Sequence, residues 1–169
     1  LVFRFPLFCE KVKFCSLDMA QPGDVIVLAN KGSMSRALCG EIMSNYAKKR
    51  GLAGIIIDGC VRDSYTLSQM DFPVYAKGIT PNGPYKNGPG EMNFPVSFGG
   101  IIINPGDILV GDSDGLIAID PKNAEELAKI AKAYHEGEEN QLDGIINRGE
   151  WPRPWVQDSL KKVGFEFVD

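Results

Sequence analysis

Apolar residues follow two different periods in the first half of the chain. Residues 24–29 (DVIVLA) are β-branched and apolar, follow a Pro-Gly turn, and predict a buried strand. After a glycine-containing loop at 30–33, apolar residues recur every three or four positions from 34 to 50, which predicts an amphipathic helix. Gly51 is placed to end this helix, and the apolar run 54–58 (GIIID) predicts a second buried strand. Strand, helix and strand in this order favour a parallel crossover unit.

The second half of the chain shows short apolar runs and then longer helical patterns. Short strands are predicted at residues 72–76, 94–98, 101–103, 107–111 and 116–120, with a hairpin turn at Asp114-Gly115. Residues 80–93 are rich in glycine and proline and predict a loop. A loop of this length in a compact domain usually has a function. Pro121 suits the first position of a helix that we expect to reach about residue 135. A second helical stretch to residue 148, a short helix and a final strand at 165–168 complete the pattern.

These patterns predict an α/β fold and a single domain over residues 1–169. Its sheets would be mixed sets of short strands, with helices at the C-terminal end. The length of 169 residues and the hydrophobic content of 44% suit one globular domain with its own core. The apolar opening stretch 1–9 contains Arg4 and Pro6 and no small-residue cleavage site. We therefore interpret it as a strand or the remainder of a longer segment, not as a signal peptide.

Charge and cysteine content exclude several classes of partner and site. The net charge of −4 provides no basic field for nucleic acid or an anionic membrane surface, and no apolar run approaches the ~20 residues of a membrane helix. Cys9, Cys15, Cys39 and Cys60 form no C-x-x-C pair and suggest reduced thiols in a cytoplasmic protein. Because His135 is the only histidine, a histidine-based zinc site cannot be assembled within one subunit.

The clearest candidate for chemistry is the dipeptide Arg62-Asp63. It follows the predicted strand 54–58 at its carboxyl end, where open α/β units bind ligands. Arg62 offers a planar fork for a carboxylate or an enolate oxygen, and Asp63 offers the hard oxygen ligand that Mg²⁺ prefers. The alternative interpretation is an ion pair that only fastens the turn. No glycine fingerprint for dinucleotides or methyl donors and no phosphate-binding P-loop is found in the sequence.

Glu41 is a second candidate. It lies beside Gly40 within the predicted apolar helical stretch and is flanked by Cys39, Ile42 and Met43. A carboxylate in such a position suggests a functional role, whereas the alternative is a glutamate on the solvent face, the common place for a charged residue.

Several separated motifs resemble one known family. Residues 23–63 (GDVIVLANKGSMSRALCGEIMSNYAKKRGLAGIIIDGCVRD), 72–78 (FPVYAKG) and 93–119 (NFPVSFGGIIINPGDILVGDSDGLIAI) resemble the metal-dependent aldolases that cleave 4-hydroxy-4-methyl-2-oxoglutarate. The same family contains the RraA-type regulators of ribonuclease E. The resemblance covers about 23–149 and continues weakly to the end, whereas the segment before the first of these motifs is short for the family.

The resemblance implies roles for particular residues. Family aldolases have an acidic residue, then twenty residues, then Arg-Asp, and here twenty residues (42–61) separate Glu41 from Arg62-Asp63. The usual acid is aspartate, so the glutamate keeps the charge and extends the reach by one methylene. By resemblance, Asp63 anchors Mg²⁺ or Mn²⁺, Arg62 stabilises a pyruvate enolate, and Glu41 orients a water for proton transfer. Backbone N–H groups at residues 40–43 (Gly40, Glu41, Ile42 and Met43) would hold the substrate carboxylate.

The resemblance also implies an assembly. It suggests a swivelling β/β/α fold that forms trimers or hexamers, with sites between subunits and a glutamate from the neighbouring chain completing each site. Glu139 is the best candidate for that glutamate, and Glu138 is nearly as good; a solvated helix face is the alternative for both. Pyruvate release from such oxo acids and decarboxylation of oxaloacetate are the expected activities.

Two other functional classes stay open. Lys77 has apolar neighbours in PVYAKGIT and could form a Schiff base in a lysine-dependent aldolase. A non-enzymatic regulator that binds ribonuclease E is the second alternative, although the presence of Glu41, Arg62 and Asp63 favours an enzyme.

Overall fold

The computed structural model describes residues 2–4, 10–85 and 90–165. The chain forms two compact units, Leu1–Pro121 and Lys122–Asp169. The mixed α/β class, with short strands and C-terminal helices, is confirmed.

A five-stranded sheet forms the centre of the first unit. Its strands lie in the order β4-β3-β2-β1-β5 and span β1 Val2–Arg4, β2 Val25–Cys39, β3 Gly54–Val61, β4 Val74–Ile79 and β5 Glu91–Met92. The first four strands are mutually parallel, and β5 is antiparallel to β1. Three helices connect the parallel strands: α1 Glu10–Met19, α2 Glu41–Lys49 and α3 Ser64–Gln69. The predicted parallel crossover from β2 through α2 to β3 is confirmed.

Two antiparallel hairpins follow the sheet. They pair β6 Val96–Phe98 with β7 Ile101–Ile103, and β8 Ile108–Gly111 with β9 Leu116–Ile119. All four strands were predicted to within two residues at each end, because short apolar runs between Pro-Gly and Asp-Gly turns are a strong local signal.

The core has two layers because side chains alternate along β2 and β3. Ile26, Leu28, Ile55 and Ile57 pack with Leu17 of α1, Ala47 of α2 and Leu67 of α3 on one face of the sheet. Val27, Ala29 and Ile56 pack with Val96 and Ile103 of the first hairpin on the other face. Every residue of β3 is buried, as its continuous apolar run indicates. The sheet is thus covered by helices on one side and by hairpins on the other.

The predicted helix at 34–50 is partly wrong. Residues 34–39 belong to β2, and α2 begins at Glu41. Non-local backbone bonds decide this: Ala37 N–H donates to Asn82 O, and Arg62 N–H donates to Cys39 O. The predicted loop at 30–33 is an irregular part of the same strand, with register shifts against β3. The end of the helix was predicted correctly, since Gly51 follows it with φ +80°.

The second unit is helical. A 3₁₀ turn at Pro121–Asn123 leads into α4 Ala124–Asp143, a π-helical turn Gly144–Arg148 and α5 Pro154–Lys162. The predicted break near residue 135 is wrong, because α4 continues through Gly137, a glycine that a long helix tolerates. The predicted final strand lies outside the described residues except for Phe165, which is not in a strand. Within the described ranges, no helix is long and apolar enough to cross a membrane.

Candidate active site

The candidate site lies where three parallel strands end. Arg62 and Asp63 directly follow β3, and the Arg62 N–H donates to Cys39 O, the last residue of β2, at 3.0 Å. Thr80, just beyond β4, donates its N–H to Val61 O at 3.0 Å. The carboxyl edge of the sheet therefore brings together chain segments that are far apart in sequence, as expected for a ligand-binding edge.

The Asp63 carboxylate is held at the first turn of α2. Its Oδ2 atom accepts the Glu41 backbone N–H at 3.0 Å and lies 3.6 Å from Arg62 Nε. The position suits a negative charge because the N-terminal end of a helix has unpaired N–H donors and a positive dipole. No hydrogen bond to Oδ1 is found among the described residues, and the side chain is partly exposed. We call the meeting point of Glu41, Arg62 and Asp63 the corner. Asp63 holds this corner together and still has one carboxylate oxygen open to a ligand.

Gly40 makes the close approach of Arg62 and Asp63 possible. A Cβ atom at this position would lie 2.5 Å from Asp63 Oδ2 and 2.8 Å from Arg62 Cγ. Both distances are shorter than a side chain can tolerate, so any larger residue would displace the pair. The sequence identified Gly40 as a contact of the substrate; the structure adds that it is required for the packing of the corner itself.

Glu41 is the first residue of α2 and is exposed, so its predicted place within an apolar helical stretch is wrong. It borders a depression shared with Arg62, Asp63, Tyr65 and Thr80. The structure therefore brings the three predicted acidic and basic residues together, although Glu41 contributes from a helix terminus instead of a helix face.

Arg62 also borders a second depression, on the side of α2. Its other lining residues include Gly40, Ile42, Met43, Cys39 and Pro84, and it encloses about 460 Å³ including its open mouth. Ile42 and Met43 lie in the first turn of α2, where backbone N–H groups have no intrahelical acceptor, whereas Ser44 N–H bonds back to Gly40 O. An arginine beside free helix N–H groups is a suitable environment for a carboxylate.

The donor set decides which metal the corner fits. No group of three or more His, Cys, Asp or Glu side chains suited to a metal ion is found in the described part of the chain. One partly exposed carboxylate, Asp63, is a poor zinc site but fits Mg²⁺ or Mn²⁺, which keep several waters and need only one or two protein carboxylates. The residues present therefore fit a largely hydrated hard cation.

A second acid–cation pair, which the sequence did not reveal, lies earlier on β3. The buried Asp58 carboxylate accepts the Gly32 N–H at 2.8 Å through Oδ2, and its Oδ1 lies 2.5 Å from Lys77 Nζ. The available signal was a lone aspartate at the end of an apolar strand, since a buried carboxylate requires a partner. Lys77, the candidate for a Schiff base, is thus engaged by a buried counter-ion.

Glu138 and Glu139 lie in α4, within the unit Lys122–Asp169, and both are exposed. Glu139 Oε1 lies 3.5 Å from Nε2 of His135, one helical turn earlier. Completion of a neighbouring subunit's site by Glu139 stays a prediction.

The fold and the corner define a β/β/α protein with a charged site at the carboxyl edge of its parallel sheet. Residues 11–118 match the model of the RraA-like family, described as Aldolase/RraA, and the chain belongs to this family. The resemblance noted from the sequence is thereby confirmed.

Similar proteins have names from different functional classes. The chain is 41% identical over 131 residues to a putative 4-hydroxy-4-methyl-2-oxoglutarate aldolase of Halalkalibacterium halodurans, covering 75% of this chain and 62% of that protein. A structure named S-adenosylmethionine:2-dimethylmenaquinone methyltransferase, from Geobacillus kaustophilus HTA426, is 35% identical with a TM-score of 0.65, covering 71% and 75%. The RNA-processing inhibitor RraA from Thermus thermophilis is 30% identical with a TM-score of 0.64, covering 70% and 71%. The chain spans about three fifths of the length of the curated relatives it matches.

Proposed function

We propose that the protein is a divalent-metal-dependent aldolase that cleaves 4-hydroxy-4-methyl-2-oxoglutarate-type acids into pyruvate and a second oxo acid. The observation that supports this most is the position of Arg62. Arg62 borders both depressions, beside the open oxygen of Asp63 and the first turn of α2. One arginine can therefore contact an anionic substrate while a cation is held next to it.

The cleavage requires charge to move toward the 2-oxo group. The 4-hydroxyl loses its proton, the bond between carbons 3 and 4 breaks, and its electron pair enters the enolate of pyruvate, which then takes a proton at carbon 3. Arg62 stabilises the oxyanion as it forms, by a charge-assisted hydrogen bond. Asp63 would hold a Mg²⁺ or Mn²⁺ ion, and such an ion would supply Lewis-acid polarisation of the 2-oxo group when bound. Decarboxylation of oxaloacetate passes through the same enolate and is proposed as a second activity.

We assign substrate binding and proton transfer to residues at the start of α2. The N–H groups of Ile42 and Met43 are free to donate hydrogen bonds to the substrate carboxylate, at the helix end where an anion is favoured. Glu41, exposed at the rim, orients a water for proton transfer. Its backbone N–H is used by Asp63, but its side chain makes no hydrogen bond in the described part of the structure, which leaves the carboxylate available.

We also propose that the sites are completed in a homotrimer or hexamer, with Glu139 supplied by a neighbouring subunit. The outer face of the β8–β9 hairpin supports an association, because Ile108, Val110 and Ile117 are exposed there while the opposite face packs on the core. An apolar face of this kind is typical of subunit contacts.

The test is a pyruvate-release assay on a panel of oxo acids, with and without Mg²⁺. We expect release from 4-hydroxy-4-methyl-2-oxoglutarate and from oxaloacetate, loss of release in excess chelator, and recovery on addition of Mg²⁺ or Mn²⁺. Full activity in excess chelator would contradict the metal mechanism. Inactivation by borohydride together with substrate would favour Lys77 instead, whose side chain is paired with buried Asp58.

The alternative is a non-enzymatic regulator that binds ribonuclease E. It is favoured by the similarity to the RNA-processing inhibitor RraA of Thermus thermophilis. Absence of pyruvate release from every acid in the panel, together with binding of purified ribonuclease E, would support the regulator over the aldolase.

A further inference from the structure

A second arginine, Arg36, holds one wall of the depression beside α2. It lies in β2, in the segment that the sequence assigned to a helix, and its role was not predicted. Its Nη1 donates to Gly83 O at 2.9 Å, and its guanidinium lies 4.1 Å from the centre of the Tyr85 ring. A planar guanidinium can stack on an aromatic ring and donate in its own plane at the same time, whereas an ammonium cannot.

The segment that Arg36 contacts, residues 80–85, is also tied to the sheet by its backbone. Asn82 O accepts the Ala37 N–H at 2.8 Å, and the Asn82 side chain donates to Ser35 O at 3.3 Å. These bonds anchor the start and middle of the segment. The contacts of Arg36 lie further along, at Gly83 and Tyr85, where the segment reaches the depression.

This segment touches the proposed catalytic arginine. Pro84 lines the same depression as Arg62, Ile42 and Met43. A Cβ atom at Gly83 would lie 3.3 Å from Arg62 Nη1, closer than most side-chain contacts allow. Since Gly83 has no positive φ, space beside Arg62 explains the glycine better than backbone conformation does.

We propose that Arg36 is a positioning residue that fixes Gly83 and Pro84 against Arg62 and so determines which oxo acids fit. This inference rests on the proposed aldolase activity, because the ligand beside Arg62 is taken to be the oxo acid. Arg36 acts through the segment and does not itself line the depression. It therefore affects the position of Arg62 and the space available to the substituent at carbon 4.

The decisive variant is Arg36→Lys, which keeps the charge and loses both the stacking and the planar fork. Because a displacement of about 1 Å can cost ~100-fold in rate, we expect kcat/KM for 4-hydroxy-4-methyl-2-oxoglutarate to fall roughly 10- to 100-fold. The smaller oxaloacetate should lose less, so the ratio of the two kcat/KM values should change. Amide hydrogen exchange at Ala37 should accelerate, because its acceptor belongs to the loosened segment. The matched control is Arg153→Lys, since Arg153 stacks on Trp151 in the other unit, at 4.5 Å, and should change neither measurement.

Gly83→Ala tests the same wall of the depression without changing Arg36. A methyl group beside Arg62 narrows the depression without removing any bond of Arg36, so the bulkier substrate should again lose more than oxaloacetate. An unchanged kcat/KM ratio in both Arg36→Lys and Gly83→Ala would overturn the proposal, whatever happens to the exchange at Ala37.

The wild-type protein separates this proposal from the proposed function. If it releases no pyruvate from any acid, the aldolase proposal fails. Calorimetric titration with pyruvate and Mg²⁺ then tests whether Arg36 positions the segment 80–85 for ligand binding. Weaker binding of pyruvate in Arg36→Lys than in the wild type would still support it. Equal binding, or none in either protein, would overturn it.

Discussion

Two acid–cation pairs lie five residues apart along the same stretch of chain, and they have opposite surroundings. Asp58 pairs with Lys77 within the sheet, and Asp63 pairs with Arg62 just beyond its edge. Each carboxylate also accepts one backbone N–H, from Gly32 in the first case and from Glu41 in the second. The cation is about half exposed in both pairs, and the aspartates differ in burial.

Burial separates a structural pair from a site that can bind a ligand. The Asp58 side chain is 5% exposed and both of its oxygens are engaged, whereas the Asp63 side chain is 39% exposed and has one open oxygen. A buried charge must keep its partner, because losing it leaves an uncompensated ion in an apolar environment. A partly exposed charge can exchange water for a ligand or a cation at little cost. Substitutions at Asp63 and at Asp58 should therefore affect different properties, activity in the first case and stability in the second.

The largest effect is expected for Asp63→Asn. Asparagine keeps the acceptor for Glu41 N–H and tolerates the left-handed backbone at this position, where φ is 58°, but it loses the charge that would hold the cation. Pyruvate release should fall to the rate without enzyme, while the free energy of unfolding should change by no more than about 0.5 kcal/mol, as for an ordinary exposed site. Kinetic assays and urea unfolding of the same preparation check both. Wild-type turnover would return the pair to a turn-fastening role.

Glu41→Gln should have the next largest effect. The side chain keeps its shape and loses its basicity, so turnover should drop by roughly 10²–10⁴, the usual contribution of a positioned acid or base. Substrate affinity should change little, because the contact with Asp63 uses the Glu41 backbone N–H and not its side chain. Glu41→Asp, which restores the family's usual acid, should retain partial activity. If steady-state kinetics show no change in either variant, Glu41 is an ordinary solvated residue at a helix terminus.

Asp58→Ala should lower the free energy of unfolding, which Asp63→Asn should leave nearly unchanged. It leaves Lys77 and the Gly32 N–H without their shared acceptor, at a point where β2 is already irregular. Breaking a buried pair typically costs 3–5 kcal/mol, and because Lys77 is half-exposed we expect the lower end, about 3 kcal/mol. Urea unfolding measures this loss. A change below about 0.5 kcal/mol would show that burial does not separate the two pairs.

The sequence predicted which residues lie together at this site better than it predicted the elements that carry them. The spacing between Glu41 and Arg62, known from the resemblance to the aldolase family, singled out residues that do lie together. The segment 34–39 was misassigned since its apolar spacing continues that of α2, whereas non-local pairing with β3 and with residue 82 makes it a strand. The packing at Gly40 and the pairing of Asp58 with Lys77 likewise depend on non-local contacts, which no local pattern encodes.

A third acid–cation pair, Asp143 with Arg148, has both side chains exposed and should have the smallest effect. Asp143, at the end of α4, accepts a hydrogen bond from Asn147 Nδ2 at 2.6 Å and pairs with Arg148. The hydrogen bond from Asn147, followed by that from Arg148, holds the pKa of Asp143 below its ordinary value. Because the folded-state pKa is depressed, the pair stabilises the fold above the unfolded-state pKa of about 3.9, and this contribution is lost as pH falls through the folded-state value. Water screens an exposed pair, so only a slight share of the acid sensitivity should disappear in Asp143→Asn.

Carboxyl NMR titration should place Asp143 below its ordinary pKa, with Asn147→Ala raising the pKa more than Arg148→Met. A carboxyl that titrates at its ordinary value in the wild type would mean that neither contact persists in solution.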